Sequence, residues 1–198
     1  MKNLLPQTSR SQTPQFETSS ASVQSSASVQ SPAASSTPNF IQLVADEHRR
    51  IELTESGDYV VELTGAGAEA EITSRTLVTA TDKFQLSVTV RHLASHTKAK
   101  TKLLGVADGQ AHLQLAGKII IETNCADCES FLTERILLLS PTAKAQVVPD
   151  LEIKNNAVKC SHAASISYIP AEQIFYLMSR GLSQTEAKTM IAGAFLEQ

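Results

Sequence analysis

Apolar and polar side chains alternate along most of the chain between residues 40 and 160. In the segment Phe84–Val90, four apolar side chains are separated by single polar residues. In Tyr59–Leu63, three apolar residues alternate with Val60 and Glu62, and in Lys118–Glu122 Ile119 and Ile121 share a face. A period of two places successive side chains on opposite faces of a strand. This region is therefore predicted to be β-structure throughout.

Turn-forming residues separate these strands at intervals of about 8 to 12 residues. Short strands at this spacing fit a sandwich, a barrel or a β-solenoid, and periodicity alone leaves all three open. Asp108-Gly109 is the one pair with the composition of a good two-residue hairpin turn. This scarcity of hairpin signals favours a solenoid, because successive coils need only loose corners.

The apolar period changes after residue 158, and two short helices are predicted. Pro170 stands where a first-turn proline belongs, and Gly181 follows the helical segment Ala171–Ser179 as a stop. Ser183 and Glu186 then form the S-x-x-E pattern of a capping box. The second helix carries a full apolar stripe, made of Ala187, Met190, Ile191, Ala194 and Phe195. Two helices this short cannot stand alone, so the stripe is expected to bury against the β-rich body or another protein.

Residues 1–39 differ in composition from the rest of the chain. They include 11 serines and four of the seven prolines, and only three of their side chains are charged. Such a segment cannot bury enough apolar surface to offset its ordering entropy, so a disordered tail is predicted. The predicted organisation is a tail over 1–39, a β-core over 40–160 and a helical segment over 161–198.

Composition and charge exclude several classes of function. The net charge is -3 and the sequence has no basic stripe, so no nucleic-acid partner is expected. No run of 18 apolar residues is present, so no membrane span is expected. Three cysteines favour a reducing compartment such as the cytoplasm, with a plastid or another organelle as the alternative if the serine-rich tail is a transit peptide. No nucleophile elbow or glycine-rich phosphate loop occurs, and a non-enzymatic protein is expected.

Two pairs of residues are candidates for chemistry. Cys160 and His162 share a face if their segment is extended, so a thiolate and an imidazole can converge there on one metal or cluster. A buried cysteine beside a hydrogen-bonded histidine is the alternative, and spacing alone favours it. Cys125 and Cys128 form a C-x-x-C pair, which can bind zinc or exchange disulfides. No second pair stands at zinc-site spacing, so incidental cysteines at a β-corner are favoured.

The C-terminal part of the chain resembles the SufD branch of the SufB/SufD family, the scaffold subunits of the Suf iron–sulfur cluster assembly machine. The likeness rests on Val158–Ala164, which contains the motif Cys-Ser-His, and on Ile174–Leu182. Leu137–Ser140 and Pro149–Ile153 precede them in the family's order. The resemblance implies a right-handed parallel β-helix with a small C-terminal helical domain, in a short form without the family's N-terminal domain.

The resemblance also implies partners and site residues. SufD-like subunits pair with SufB-like subunits through their β-helices, with self-pairing as a homodimer as the alternative here. Cys160 and His162 would then lie near the interface where a transient iron–sulfur cluster is built, and no cofactor is expected on the isolated chain. The C-terminal helices dock the SufC ATPase, and the residues carried over to this role are Phe175, Tyr176, Met178, Arg180, Met190 and Phe195.

Two positions depart from the family's motif, because Ala163 and Ser167 stand where the family has glycine. An alanine would strain the turn if its backbone needed a positive φ. The leading hypothesis is a non-enzymatic assembly scaffold. The alternatives are a truncated interaction or regulatory module without cluster chemistry and an independent metal-binding protein. The ligands of the latter would be Cys125, Cys128, Cys160 and His162.

Overall fold

The computed structural model describes residues 37–198, so the tail predicted over 1–39 lies almost wholly outside the described residues. The described part contains ten strands and two helices. They are β1 (Asn39–Leu43), β2 (His48–Glu52), β3 (Gly57–Leu63), β4 (Glu69–Val78), β5 (Lys83–His92), β6 (Lys98–Ala107), β7 (His112–Ile121), β8 (Cys128–Leu138), β9 (Lys144–Ile153), β10 (Val158–Tyr168), α1 (Ala171–Ser179) and α2 (Gln184–Leu196).

Successive strands alternate between two sheets whose strand pairs are all parallel. The first sheet has the order β1-β3-β5-β7-β9, and the second has the order β10-β8-β6-β4-β2. Each strand therefore pairs with the strand two further along the chain, as β5 does with β7 and β6 with β8. This topology is a parallel β-helix, in which each coil contributes one strand to each sheet. The predicted solenoid is confirmed, and the sandwich and barrel alternatives are excluded.

The coils have a nearly constant length after the first one. Lys98 Nζ bonds Glu69, 29 residues away, and Lys154 Nζ bonds Glu122, 32 residues away. The first coil is shorter, as the hydrogen bond from Gln42 to Glu62 shows, since these two residues are only 20 positions apart. A constant coil length places equivalent residues in rows that run across the coils, so each inward-facing row is a continuous stack of side chains.

Inward-facing rows of apolar side chains fill the space between the two sheets. Leu86 and Leu115 are register partners on the first sheet, and neither is exposed to solvent. Leu103 is equally buried on the second sheet. Burying one such side chain contributes about 1.5 to 3 kcal/mol. The alternation in the sequence predicts these rows correctly, since β5 buries every second residue from Leu86 to His92.

The corners explain why hairpin signals are scarce. Ala80 and Gly109 occupy equivalent corners on successive coils, and both have a positive φ, of 56° and 67°. The amide of Gln110 donates to the carbonyl of Ala80 at 2.7 Å, and a Cβ on Gly109 would lie only 3.0 Å from that oxygen. Asp108-Gly109 is therefore a coil corner between β6 and β7 and not the turn of a hairpin.

Helix α2 packs on the outer face of the second sheet. Leu104, Val106 and Leu137 point outward from β6 and β8 and are buried by Ala192 and Phe195 of the helix. Because this apolar patch would otherwise face water, the contact stabilises a helix that is too short to be stable alone. Neither helix of the described part is long and apolar enough to cross a membrane.

The predicted helix boundaries are confirmed. Helix α1 spans Ala171–Ser179, directly after Pro170, and Gly181 has a φ of 97° beyond its C-terminus. At the start of α2, the amide of Glu186 donates to Ser183 Oγ at 3.3 Å, and the Glu186 carboxylate accepts from the amide of Ser183 at 2.8 Å. These two reciprocal hydrogen bonds form the predicted capping box.

The boundary predicted between residues 160 and 161 differs from the structure, because β10 runs on to Tyr168. The helical part begins at Ala171. Small and polar residues make up much of the second half of this strand, so the sequence shows little contrast between its two faces. The β-helix is longer than the alternation predicts, and the whole Cys-Ser-His motif lies inside a strand.

Candidate functional site at the open end of the β-helix

The last coil, made of β9 and β10, has no coil above it among the described residues. Strand β9 pairs only with β7 and β10 only with β8 in this part of the chain. Ile166 on β10 is 45% exposed, whereas its register partner Ile136 on β8 is 1% exposed. We call the inward faces of β9 and β10 the open end. It combines an uncovered apolar surface with two strand edges that can accept further strands.

Cys160 and His162 both lie on the inward face of β10. Their register partners on β8 are Ser130 and Leu132, which are 1% and 2% exposed. The two side chains therefore leave the strand in the same direction, as expected for residues i and i+2. Cys160 is half-buried and His162 is exposed. A group seated on the open end can meet both a sulfur and an imidazole.

The thiol of Cys160 lies at the edge of an apolar cluster. It packs against a group of buried residues that includes Ile119, Ile121 and Leu132. Burial raises the pKa of the Cys160 thiol above its usual range. The isolated chain therefore holds this cysteine as a protonated thiol at neutral pH. Binding of a metal there must release a proton, because the thiolate is the ligand.

Glu134 is a buried carboxyl group that the sequence analysis did not single out. It lies on the inward face of β8, directly beneath Ala164 of β10, and is fully buried. Neither of its carboxyl oxygens has a hydrogen-bond partner among the described residues. Burial raises its pKa to about 7, although the backbone of Gly117 opposes the rise. This carboxyl group can therefore gain or lose a proton near neutral pH, and it lies directly below the open end.

Gly117 makes the space that Glu134 occupies. A Cβ on Gly117 would lie 3.1 Å from Glu134 Oε1 and 2.6 Å from the Cδ2 atom of Leu132. The sequence held one signal for this arrangement, because Glu134 falls between Leu132 and Ile136 in the alternating pattern of β8. A charged residue at an inward position of a buried strand departs from the pattern and marks a special environment.

Cys125 and Cys128 lie at the corner between β7 and β8, one coil below the open end. Their residues are 1% and 0% exposed, and both thiols are free. Cys125 Sγ donates to the carbonyl of His92 at 3.2 Å, and Cys128 Sγ lies 3.2 Å from Thr97 Oγ1. These cysteines belong to the interior of a coil corner.

His92 lies at the equivalent corner one coil below, where β5 ends. Its ring is fully buried, with Nδ1 2.7 Å from Thr97 Oγ1. Its Nε2 atom has no hydrogen-bond partner within residues 37–198. Burial lowers the pKa of His92 to about 4, so the ring is neutral at physiological pH. The imidazole is therefore a neutral part of the packed corner.

The candidate ligands do not converge into one metal site. Within residues 37–198, no three or more His, Cys, Asp or Glu side chains are placed so that they could hold a metal ion. Cys160 shares its apolar cluster with Cys125 and Cys128, whereas His162 is exposed at the open end. The structure does not bring these four residues together as the single ligand set that the metal-protein alternative requires.

Most of the residues assigned to partner docking are exposed on the helices. Phe175 is 74% exposed, Tyr176 57%, Met190 53% and Met178 46%. The guanidinium carbon of Arg180 lies 5.3 Å from the centroid of the Tyr176 ring. No residue of α1 is buried. Helix α1 therefore presents large apolar and aromatic side chains that the described part of the chain leaves uncovered.

Phe195 differs from the other residues assigned to this docking surface, because it is buried against the β-helix. Phe195 is 6% exposed, and the guanidinium of Arg135 lies 5.2 Å from its ring centroid. Helix α2 buries Ala192 and Phe195 against the β-helix, whereas Met190 is exposed. The predicted stripe is thus divided between a buried edge and an exposed edge.

Ala163 and Ser167, which replace glycines of the family's motif, cause no backbone strain. Both lie inside β10, and neither is among the described residues with a positive φ. The condition for a strained turn, a positive φ, is therefore not met, because an extended strand accommodates any side chain at these positions.

The structure thus defines a parallel β-helix protein with a cysteine–histidine pair at an uncovered end and two C-terminal helices. The SufBD core domain of SUF-system FeS cluster assembly matches residues 53–195, which is most of the chain. The chain therefore belongs to the SufB/SufD family, as its motifs indicate.

Three similar proteins are named as iron–sulfur cluster assembly proteins, either SufD or members of the SufBD family. The iron–sulfur cluster assembly protein SufD of Escherichia coli is 40% identical over 79 residues, which cover 40% of this chain and 19% of that protein. A SufBD family protein of Synechocystis is 34% identical over 46% of this chain and 20% of its own length. One from Galdieria sulphuraria is 28% identical over 54% of this chain and 48% of its own. The chain thus matches only a part of each of these relatives.

Proposed function

We propose that this protein is a non-enzymatic scaffold subunit of a SUF-type iron–sulfur cluster assembly complex. The nascent cluster is the cargo of this scaffold. The open end pairs with a SufB-like β-helix, and the C-terminal helices dock a SufC-like ATPase. The observation that carries the proposal is the placement of Cys160 and His162 together on the inward face of an uncovered last coil.

The chemistry of the pair suits a site that is shared and temporary. A thiolate and an imidazole are both ligands of iron in iron–sulfur centres. Two ligands from one chain supply only about half of the four protein ligands of a typical iron–sulfur cluster, so a partner must complete the site. Cys160 and His162 would hold a cluster only while the partner covers the open end. Such incomplete ligation allows the finished cluster to leave, which a complete cage would not.

A β-helix partner fits the open end better than an unrelated globular surface. Strands β9 and β10 each present one free edge, so another pair of strands can extend both sheets by backbone hydrogen bonds. The inward residues Val147, Leu151 and Ile166 would then be buried between the two subunits. Covering this end would bury His162 and complete the burial of Cys160.

Anaerobic cluster reconstitution on a complex with a SufB-like subunit tests the proposed cargo site. Cys160→Ala and His162→Ala should each lower the yield of bound iron and acid-labile sulfide severalfold, while the subunits still co-elute. Ser161→Ala is the matched control, because Ser161 lies between them on the outward face of the same strand. Unchanged yields for both site variants would contradict the proposal.

The docking of an ATPase is tested by a separate pair of substitutions. Phe175→Ala removes the most exposed aromatic ring of α1 and should weaken binding of a SufC-like ATPase at least tenfold in titration calorimetry. Phe131→Ala is the matched control, because Phe131 is 42% exposed on the second sheet. A protein that binds the ATPase but never acquires iron with any partner would instead be the interaction module considered above.

A further inference from the structure

Cys125 and Cys128 are joined by a tight turn at the corner between β7 and β8. Ala126 and Asp127 form the turn, and Asp127 has a positive φ of 54°. The two ends of a four-residue turn lie within about 7 Å of each other at their Cα atoms. A disulfide needs Cα atoms about 4.4 to 6.8 Å apart. The corner therefore holds the two cysteines at a separation that a disulfide can bridge.

The corner geometry belongs to the β-helix and does not depend on the cysteines. His96 has a φ of 58° at the equivalent place one coil below. The amide of His96 donates to the carbonyl of Ala126, and the amide of Asp127 donates to that of Ala157. The left-handed residue between the cysteines is therefore fixed by hydrogen bonds to the coils on both sides. Forming a bridge would not require the backbone to leave its hydrogen-bonded path.

The two sulfurs are near enough to influence each other. Burial raises the pKa of the Cys125 thiol, and the neighbouring Cys128 raises it further. Each thiol donates a hydrogen bond, which only a reduced sulfur can do. Cys125 donates to the carbonyl of His92, and Cys128 donates to the carbonyl of Ala94 at 3.3 Å. These contacts stabilise the reduced form and would be lost on oxidation.

A surface cavity lies beside the corner that holds Cys128. Its lining includes Cys128 together with Asp127 and Glu129 on one coil and Val158 and Lys159 on the next. Cys125 is not part of this lining. Because both cysteines are buried, a small thiol reagent reaches Cys128 from this cavity only when the corner opens.

We propose that Cys125 and Cys128 form a reversible dithiol–disulfide pair whose co-reactant is a low-molecular-weight disulfide such as oxidised glutathione. The Cys128 thiolate attacks one sulfur of oxidised glutathione, so a protein–glutathione disulfide forms and one glutathione leaves. The Cys125 thiolate then attacks the Cys128 sulfur and releases the second glutathione. The protein loses two electrons and two thiol protons, and oxidised glutathione becomes two molecules of reduced glutathione.

The experiment equilibrates the full chain in glutathione buffers of increasing oxidising strength under native conditions, followed by acid quench and mass spectrometry. Wild type and Cys160→Ser should lose the mass of two hydrogens. The oxidised fraction should rise from about a tenth to about nine tenths over a roughly hundredfold change in the ratio of oxidised glutathione to the square of reduced glutathione. Peptide mapping should place the bridge between Cys125 and Cys128, and dithiothreitol should reverse it.

Two variants control this experiment. Cys125→Ser should stop at the mixed disulfide, which adds one glutathione to Cys128, whereas Cys128→Ser should take up no glutathione at Cys125. Circular dichroism checks that each variant is folded. Three free thiols in native wild type at every buffer ratio would overturn the proposal, as would a bridge that maps to Cys160.

Discussion

The middle coils and the last coil of this β-helix are built on the same pattern but have different surroundings. Leu138 on β8 is 5% exposed, whereas Tyr168, its register partner on β10, is 57% exposed. The inward row continues through both strands with large apolar residues near its end. A strand that keeps an inward apolar face without a coil to cover it indicates a surface suited to a partner.

The two helices show the same contrast outside the β-helix. Helix α2 closes the apolar patch on β6 and β8 with Ala192 and Phe195, whereas α1 has no buried residue and exposes Phe175 and Tyr176. In both places the chain covers one surface itself and leaves the next one open. The four predictions below test this division, from the largest expected effect to the smallest.

Removing the same side-chain volume from a middle coil and from the last coil should have very different costs. Leu115→Ala creates a cavity at a fully buried position and should lower the free energy of unfolding by about 3 to 4 kcal/mol. Leu151→Ala, on the half-buried inward face of β9, should lower it by about 1 kcal/mol, since part of that side chain already meets water. Chemical denaturation of both variants measures the difference. Equal losses would show that the last coil is as closed as the coils beneath it.

Glu134 makes stability depend on pH in a direction opposite to that of a salt-bridged carboxylate. Its pKa is raised by burial from 4.5 to about 7. Between these values the unfolded chain releases a proton that the folded protein keeps, so stability falls as the pH rises. Glu134→Gln removes this dependence, and the stability of the variant relative to wild type should rise by about 2 to 3 kcal/mol between pH 5 and pH 8.

Denaturation curves at several pH values check this prediction, and Glu55→Gln is the control because Glu55 is exposed. His92 also titrates in the acid range, but it is present in both proteins and cancels in the comparison. A difference that stays constant with pH would mean that water or a partner group already satisfies the Glu134 carboxylate in solution.

The sequence predicts the closed parts of the molecule better than the open ones. The alternation in Phe84–Val90 and the capping box at Ser183 each have a local physical cause, and both are found where expected. Strand β10 is missed beyond residue 160 because exposed small residues leave little contrast between its faces. Glu134 is missed because its burial depends on Gly117, which faces it from another strand and is distant in the sequence.

The division of the α2 stripe has a related cause. Five apolar residues fit one broad helical stripe, but only Ile191 and Phe195 among them pack against the outward patch on β6 and β8. The shape of the outward patch on β6 and β8 decides which edge is buried, and helical periodicity contains no information about that shape. The exposed Met190 therefore remains available for a partner, whereas Phe195 does not.

A substitution of Ile166 tests whether the exposed apolar surface of the open end binds a partner. Ile166→Ser should change the free energy of unfolding of the isolated chain by less than about 1 kcal/mol, because 45% of the side chain is already exposed. Binding to a SufB-like β-helix should weaken about tenfold, since the same side chain would be buried in that interface. Analytical ultracentrifugation of the mixed subunits measures this change. Unchanged affinity would place the partner's surface elsewhere.

The smallest expected effect concerns the start of α2, which the chain secures by itself. Ser183→Ala removes the acceptor for the amide of Glu186 and half of the capping box, so the free energy of unfolding should fall by about 1 kcal/mol. Ser161→Ala is the control, because Ser161 is exposed in a strand and caps no helix.

Helix α2 is held both by this cap and by its contact with the sheet, so the loss should fray its first turn without releasing Phe195 from Arg135. Hydrogen exchange resolves the two cases: faster exchange confined to the first turn supports this division of the helix, whereas faster exchange along the whole of α2 would show that the cap and not the sheet contact holds it.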